Sequence, residues 1–286
     1  GGRGGGNPGV WAPDDSDGAE DGGLEGLDPR DVGGTPGAVR MAERDEALKG
    51  LYVVEDFVSA NEEARILDLL DADSGWNPWR RSSFNGAHVG KAWGVKSELK
   101  ARCVVPARHA VPSWAQGLSR RMRRLGRSLA GSPLECMTQF RPNDCNAIEY
   151  LRAEGHWLKA HSDDRYLSGD VLVTLSLAGN CNMEFELTRG GSGHSQKEVA
   201  FVPLPRRSLL VQAGGVRYTH THGIPNRCLG SPRRVSVTFR ETSDGLGEAR
   251  AGLGGGQTKI SDAMPSLTCS ESATRNVQKR DNIDIK

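Results

Sequence analysis

The chain has 286 residues, 37 basic against 36 acidic side chains, a formal net charge of +1 and 36% apolar residues. That balance selects no class of partner, and no apolar run reaches the roughly 18 residues of a membrane-spanning helix, so no membrane partner is expected. Six cysteines without a CxxC pair, and no signal peptide ahead of them, read as reduced thiols of a nuclear or cytoplasmic monomer.

Residues 1–47 are crowded with Gly, Asp, Glu and Pro, and residues 245–286 resemble them, with Gly252 to Gly256 broken only by Leu253. Neither stretch can bury enough apolar surface to offset its ordering entropy, so both are expected to be disordered tails. Residues 48–244 remain as one domain, long enough for a well-buried core. A first residue of Gly instead of Met suggests a trimmed chain or a fragment.

Leu51 to Val54 is a β-branched run and a first strand. Ser59 to Asp71 predicts a helix, with Ser59 and Glu62 as a capping box and Ile66, Leu67, Leu69 and Leu70 as its apolar stripe. Residues 72–112, rich in Gly, Pro, Trp and Arg, show no clean period and predict a long irregular segment with at most short strands. A second helix is expected from Ser113, with Gln116 at the capping-box position. Trp114, Leu118, Met122, Leu125 and Leu129 form its buried face, and Gly131 and Pro133 end it. Arg120, Arg121, Arg123, Arg124 and Arg127 cover the other face, read as solvated. Short strands follow at Ala147 to Leu151, Val171 to Leu177, Met183 to Leu187, Val199 to Val202, Ser208 to Ala213 and Val235 to Arg240. Helices first and many short strands after predict an α+β, mainly β, fold with a sandwich or barrel core.

Within that core, His161 and Asp163 flank Ser162. In an extended segment residues two apart share a face, so both could reach one ion. Two imidazoles and a carboxylate are the ligand set that holds non-haem Fe(II) with coordination positions left open. The second imidazole could come from His220 or His222, which share a face of Tyr218 to Gly223; spacing does not choose between them. On Val235 to Arg240, Val235, Val237 and Phe239 take one face and Arg234, Ser236, Thr238 and Arg240 the other. In a closed barrel that second face is a cavity, where guanidinium forks would bind carboxylates.

The order His161-x-Asp163, His222-Gly-Ile, Arg234-Val-Ser-Val-Thr-Phe-Arg240 resembles the AlkB family of Fe(II)/2-oxoglutarate dioxygenases. Phe140 to Asn146, Tyr150, Asp164 and Val202 to Val211 narrow the resemblance to the branch of the fourth animal AlkB homologue. It implies a double-stranded β-helix (jelly-roll) core, with Fe(II) held by His161, Asp163 and His222 and with 2-oxoglutarate and O2 as cosubstrates. Arg234 would pair with the distal carboxylate of 2-oxoglutarate, Arg240 would hold Asp163 or the near carboxylate, and Tyr150 would support the cosubstrate. The family's Asn two before that Tyr is Ile148 here. The implied reaction is oxidative N-demethylation of methylated DNA or RNA, with N6-methyladenine or another alkylated base as substrate. A methylated protein (methyl-lysine) and a weakly active binding protein are the alternatives. Trp79, Arg81, Trp93 and Asp164 are the candidate substrate contacts.

Overall fold

Along Arg233–Thr242, Val235, Val237 and Phe239 pack into one apolar cluster, while Arg234 and Ser236 are buried on the opposite face. A strand covered on both sides belongs to the middle of a layered fold. The computed structural model describes residues 39–41, 48–72, 75–82, 84–188 and 199–244. The predicted tails lie outside the described residues, except that Val39–Met41 forms a short strand where disorder was expected.

In chain order the strands are β1 (Val39–Met41), β2 (Leu51–Val54), β3 (Arg80–Ser82), β4 (Gly86–Glu98), β5 (Cys103–Pro106), β6 (Asp144–Leu151), β7 (Trp157–His161), β8 (Ser168–Leu177), β9 (Cys181–Leu187), β10 (Val199–Leu204), β11 (Leu209–Gln212), β12 (His220–Ile224) and β13 (Arg233–Thr242). The helices are α1 (Ala60–Ala72), α2 (Ser113–Ser128) and α3 (Gly215–Thr219). Pairing runs β1-β2-β11-β8-β13-β6-β4-β7-β12-β9-β10, all antiparallel. The sheet curls at β4, so β7, β12, β9 and β10 fold back over the larger layer as a jelly roll, the expected fold class.

Two cores follow. Outside the larger layer, α1 and α2 pack Ile66, Leu70, Trp114, Leu118 and Met122 onto Val235, Val237, Phe239 and Trp93. Between the layers lie Leu51, Val53, Tyr150, Met183, Phe185, Leu210 and Ile224. The predicted capping box of α1 is present: Ser59 N–H donates to Glu62 Oε2 at 2.8 Å and Glu62 N–H to Ser59 Oγ at 3.2 Å. Glu62 is buried and also receives the Arg121 guanidinium, which locks α1 to α2.

The irregular segment expected over 72–112 instead holds the 13-residue strand β4. Its residues pair in turn with β3, β5, β6 and β7. Gly94, at φ +81°, is required there: a Cβ would meet the Asn143 carbonyl oxygen at 1.9 Å. The second capping box does not form. Pro112 caps α2, and Gln116 Nε2 donates to the Val111 carbonyl at 2.9 Å. Nor is the arginine face simply solvated, because Arg123 is buried and donates to Ser119 Oγ at 3.1 Å. Cys103 is disulfide-bonded, which corrects the all-reduced expectation: lack of CxxC says nothing about bridges between distant positions. Cys136, Cys145, Cys181 and Cys228 are free.

Candidate metal and oxyacid site

The inner side chains of the smaller layer depend on a bulge. His222 pairs with His161 and Ile224 with Leu158, so two steps along β12 match three along β7. One extra residue in β7 puts Leu158 and His161, three apart, on the same inner face. Gly223 permits it, since a Cβ there would lie 2.8 Å from the Ala160 nitrogen. The imidazoles of His161 and His222 then stand 4.6 Å apart between centroids. Asp163 follows the end of β7 and completes the group: one ligand atom from each of His161, Asp163 and His222 lies within 4.8 Å of the others.

Proton positions suit a cation. His161 Nδ1 contacts the Lys159 carbonyl at 2.8 Å; a carbonyl can only accept, so Nδ1 carries the hydrogen, and in the neutral ring that leaves the Nε2 lone pair for a cation. Burial pushes the His222 pKa down to about 4 against the pull of Asp163, so the ring is neutral near pH 7. Burial alone would raise the Asp163 carboxyl, but Arg240, with His222, His161 and Arg217, holds it well below the usual carboxylate range. Arg240 Nε donates to Asp163 Oδ1 at 2.9 Å, and Nη2 lies 2.7 Å from the same oxygen. Asp163 Oδ2 faces His222 Nε2 at 3.4 Å.

Farther in, Arg234 is wholly buried. Its Nη2 donates to Ser176 Oγ at 2.9 Å, while Nε and Nη1 are buried with no partner. A buried guanidinium without a counter-charge is costly, and its orphan donors ask for an anion. Tyr150 lies against it, 5.5 Å from ring centroid to guanidinium carbon, with its hydroxyl bonded to Ser236. Burial keeps that phenol protonated. The donor set and the orphan cation thus fit Fe(II) and a 2-oxo dicarboxylate. Ile148, where an Asn was the familiar residue, packs against the inner apolar cluster.

The candidate substrate contacts fare differently. Trp93 is 2% exposed, edge-on to Trp114 at 6.0 Å, on the outer face of the sheet. Trp79 packs against that outer cluster and donates from Nε1 to Asp71 at 3.2 Å. Trp93 serves packing because strand parity turns it to the outer face, and Trp79, in the loop just before β3, packs on the same outer cluster. Asp164 Oδ1 accepts from the Tyr166 and Leu167 N–H groups at 2.9 and 2.6 Å, so its side chain shapes its own loop. Arg81 lines a cavity of about 400 Å³ with Ser82, Ala87, His88, Glu154 and His156. There His88 Nδ1 is buried without a partner. His220 is not in the ligand group; its Nδ1 meets Thr219 Oγ1 at 2.8 Å.

Sequence reasoning missed Asp144 and Arg217. Asp144 is buried directly across from Arg240, with Oδ2 3.8 Å from Arg240 Nη1. Counting parity back from Tyr150 would have found it on the inner face. Arg217 donates to main-chain oxygens, which no side-chain pattern announces.

No family model matches the chain. It is 29% identical over 247 residues to the Homo sapiens protein named alpha-ketoglutarate-dependent dioxygenase alkB homolog 4, covering 77% of this chain and 74% of that protein. It is 24% identical over 202 residues to a DNA N6-methyl adenine demethylase of Caenorhabditis elegans, covering 70% of this chain and 62% of the other. Among solved structures, OsALKBH1 superposes with a TM-score of 0.51 at 12% identity, over 71% of this chain and all of that one, a likeness of fold.

Proposed function

We propose that this chain, a member of the AlkB family of Fe(II)/2-oxoglutarate-dependent dioxygenases, removes N-methyl groups oxidatively from methylated nucleic acid. The convergence of His161, Asp163 and His222 beside the orphan Arg234 donors carries the oxidative half of this reading. In it, His161 Nε2, an Asp163 oxygen and His222 Nε2 would hold Fe(II), and the Arg234 Nε and Nη1 donors would take the distal carboxylate of 2-oxoglutarate. When bound, the metal supplies oxidation of a C–H bond by O2, with 2-oxoglutarate leaving as succinate and CO2. The chain's own part is positional. Arg240 keeps Asp163 ionised and aimed, Tyr150 and Ser236 wall the cosubstrate pocket, and the inner apolar cluster excludes water. An N-methyl group hydroxylated at its carbon is a hemiaminal, which releases formaldehyde and restores the N–H.

Support for nucleic acid as substrate is the relative named as a DNA N6-methyl adenine demethylase. A methyl-lysine reading draws on Glu154, whose carboxylate beside the Arg81 and His88 cavity would suit an ammonium group. Formaldehyde release measured across methylated DNA, RNA and peptides, with Fe(II) and 2-oxoglutarate, decides between them. Release from a methylated oligonucleotide is the expected result. Release from peptides alone overturns the nucleic-acid assignment, and neither turnover nor 2-oxoglutarate binding overturns the enzymatic one.

A further inference from the structure

The loop that carries Asp163 is tied down from one neighbouring segment. Arg217, 2% exposed on α3, donates from Nη1 to the Asp163 carbonyl at 3.0 Å and from Nη2 to the Asp164 carbonyl at 2.6 Å. On the other side of Asp163, Ser162 Oγ donates to the His220 carbonyl at 3.1 Å. The Ser162 side chain before the carboxylate and the two carbonyls after it are therefore fastened to α3 and the start of β12, the strand that bears His222. The arginine itself stands on a fixed base. Val216 is buried in the inner cluster with its N–H on the Lys49 carbonyl at 3.0 Å, and Thr188 N–H donates to Thr219 O at 2.8 Å.

We infer that Arg217 is a positioning residue for the metal site: its planar fork, spanning two consecutive carbonyls, sets the Asp163 backbone at a fixed distance from His222 before any metal binds. A guanidinium suits this task because its donors diverge in one plane and meet two acceptors at once. An ammonium keeps the charge but not that plane. Residues that orient ligands without touching the metal commonly alter metal affinity by about 10- to 100-fold. The inference rests on the assignment of His161, Asp163 and His222 as metal ligands, and it adds that their spacing is prepared by a residue outside the ligand set.

The test uses the full chain and two probes, Mn(II) for affinity and Co(II) for its visible absorption. Arg217→Lys and Arg217→Gln are compared with the parent, each checked by metal-free thermal unfolding, so that one folded variant suffices. The expected result is Mn(II) binding weakened by about 10-fold or more, with a changed Co(II) spectrum at saturation, in a variant whose metal-free unfolding is nearly unchanged. A folded variant that binds Mn(II) within about twofold of the parent and gives the parent's Co(II) spectrum overturns the positioning role. Parent protein that binds neither ion overturns the ligand assignment itself, and the inference with it; because this shows in the parent alone, the two failures are distinguishable.

Discussion

Arg240 reaches Asp163 with two nitrogens on a single carboxylate oxygen, Oδ1, and leaves Oδ2 toward His222. On its far side stands Asp144, its cross-strand neighbour. One guanidinium thus separates two buried carboxylates. Arg240→Met should remove that shield and leave Asp163 and Asp144 in mutual repulsion, at a cost of about 3–5 kcal/mol in the metal-free protein. Adding Asp144→Asn should recover part of the loss, since the second charge is gone. Chemical denaturation of the two single variants and the double variant measures the coupling. Additive losses would contradict the shielding argument.

A second consequence concerns acid. His222 is displaced downward, from 6.5 to about 4, so between those values the unfolded chain binds more protons at this position than the folded one. Stability therefore rises with pH across that window; the contribution is complete above about pH 6.5 and is lost as pH falls toward 4. Asp163, also depressed, adds stability that is present above its ordinary value of 3.8 and is lost only in stronger acid. The full His222 contribution is about 3 kcal/mol at most. Denaturant midpoints of metal-free protein from pH 4 to 7 should climb, and His222→Asn should flatten the climb. An unchanged slope in that variant refutes the assignment to His222.

Arg234 offers a prediction in which two signs oppose. Its buried charge has no carboxylate partner among the described residues, and Nε and Nη1 have no acceptor. Arg234→Met, similar in length and apolar, should leave the metal-free protein as stable or more so, because a desolvated unpaired charge disappears. The same change should cost about 2–5 kcal/mol of 2-oxoglutarate binding. Thermal unfolding with and without 2-oxoglutarate and Mn(II) reads both effects. Loss of stability without loss of the ligand-induced shift would recast Arg234 as a structural residue.

The parts legible in the sequence are those where polarity and period agree. β6, β8, β9, β10, β11 and β13 alternate or run apolar between Gly, Pro and Asn breaks, and each is found within a few residues of its expected place. β7 and β12 were not predicted as strands, although they carry His161 and His222. Their inward positions are partly imidazoles where a core strand would be apolar, and the bulge at Lys159 and Ala160 breaks the period of two. β4 escaped for another reason: glycines at Gly86, Gly90 and Gly94 and four different partners leave it no single face to repeat. The ligand order was readable because its spacing matched a known pattern. Arg217 and Asp144 were not, since their partners are main-chain oxygens and a residue across the sheet.

Trp93 and Trp79 both pack on the outer cluster, away from the site. Trp93 fills the outer core against Trp114, and its in-register neighbour Cys145 is buried with it. Trp93→Ala should open a cavity and cost about 3–5 kcal/mol. Trp79 is only half-buried, with Asp71 on its indole N–H and Lys91 Nζ 4.9 Å from its ring centroid. Trp79→Ala should cost less, about 1–2 kcal/mol, because its site can fill with water. Because both pack on the outer cluster, turnover per folded molecule should be unchanged in both. Denaturant unfolding, paired with formaldehyde release at a temperature where each variant is folded, separates the two roles. A raised KM with unchanged stability in either variant would return that tryptophan to the substrate surface.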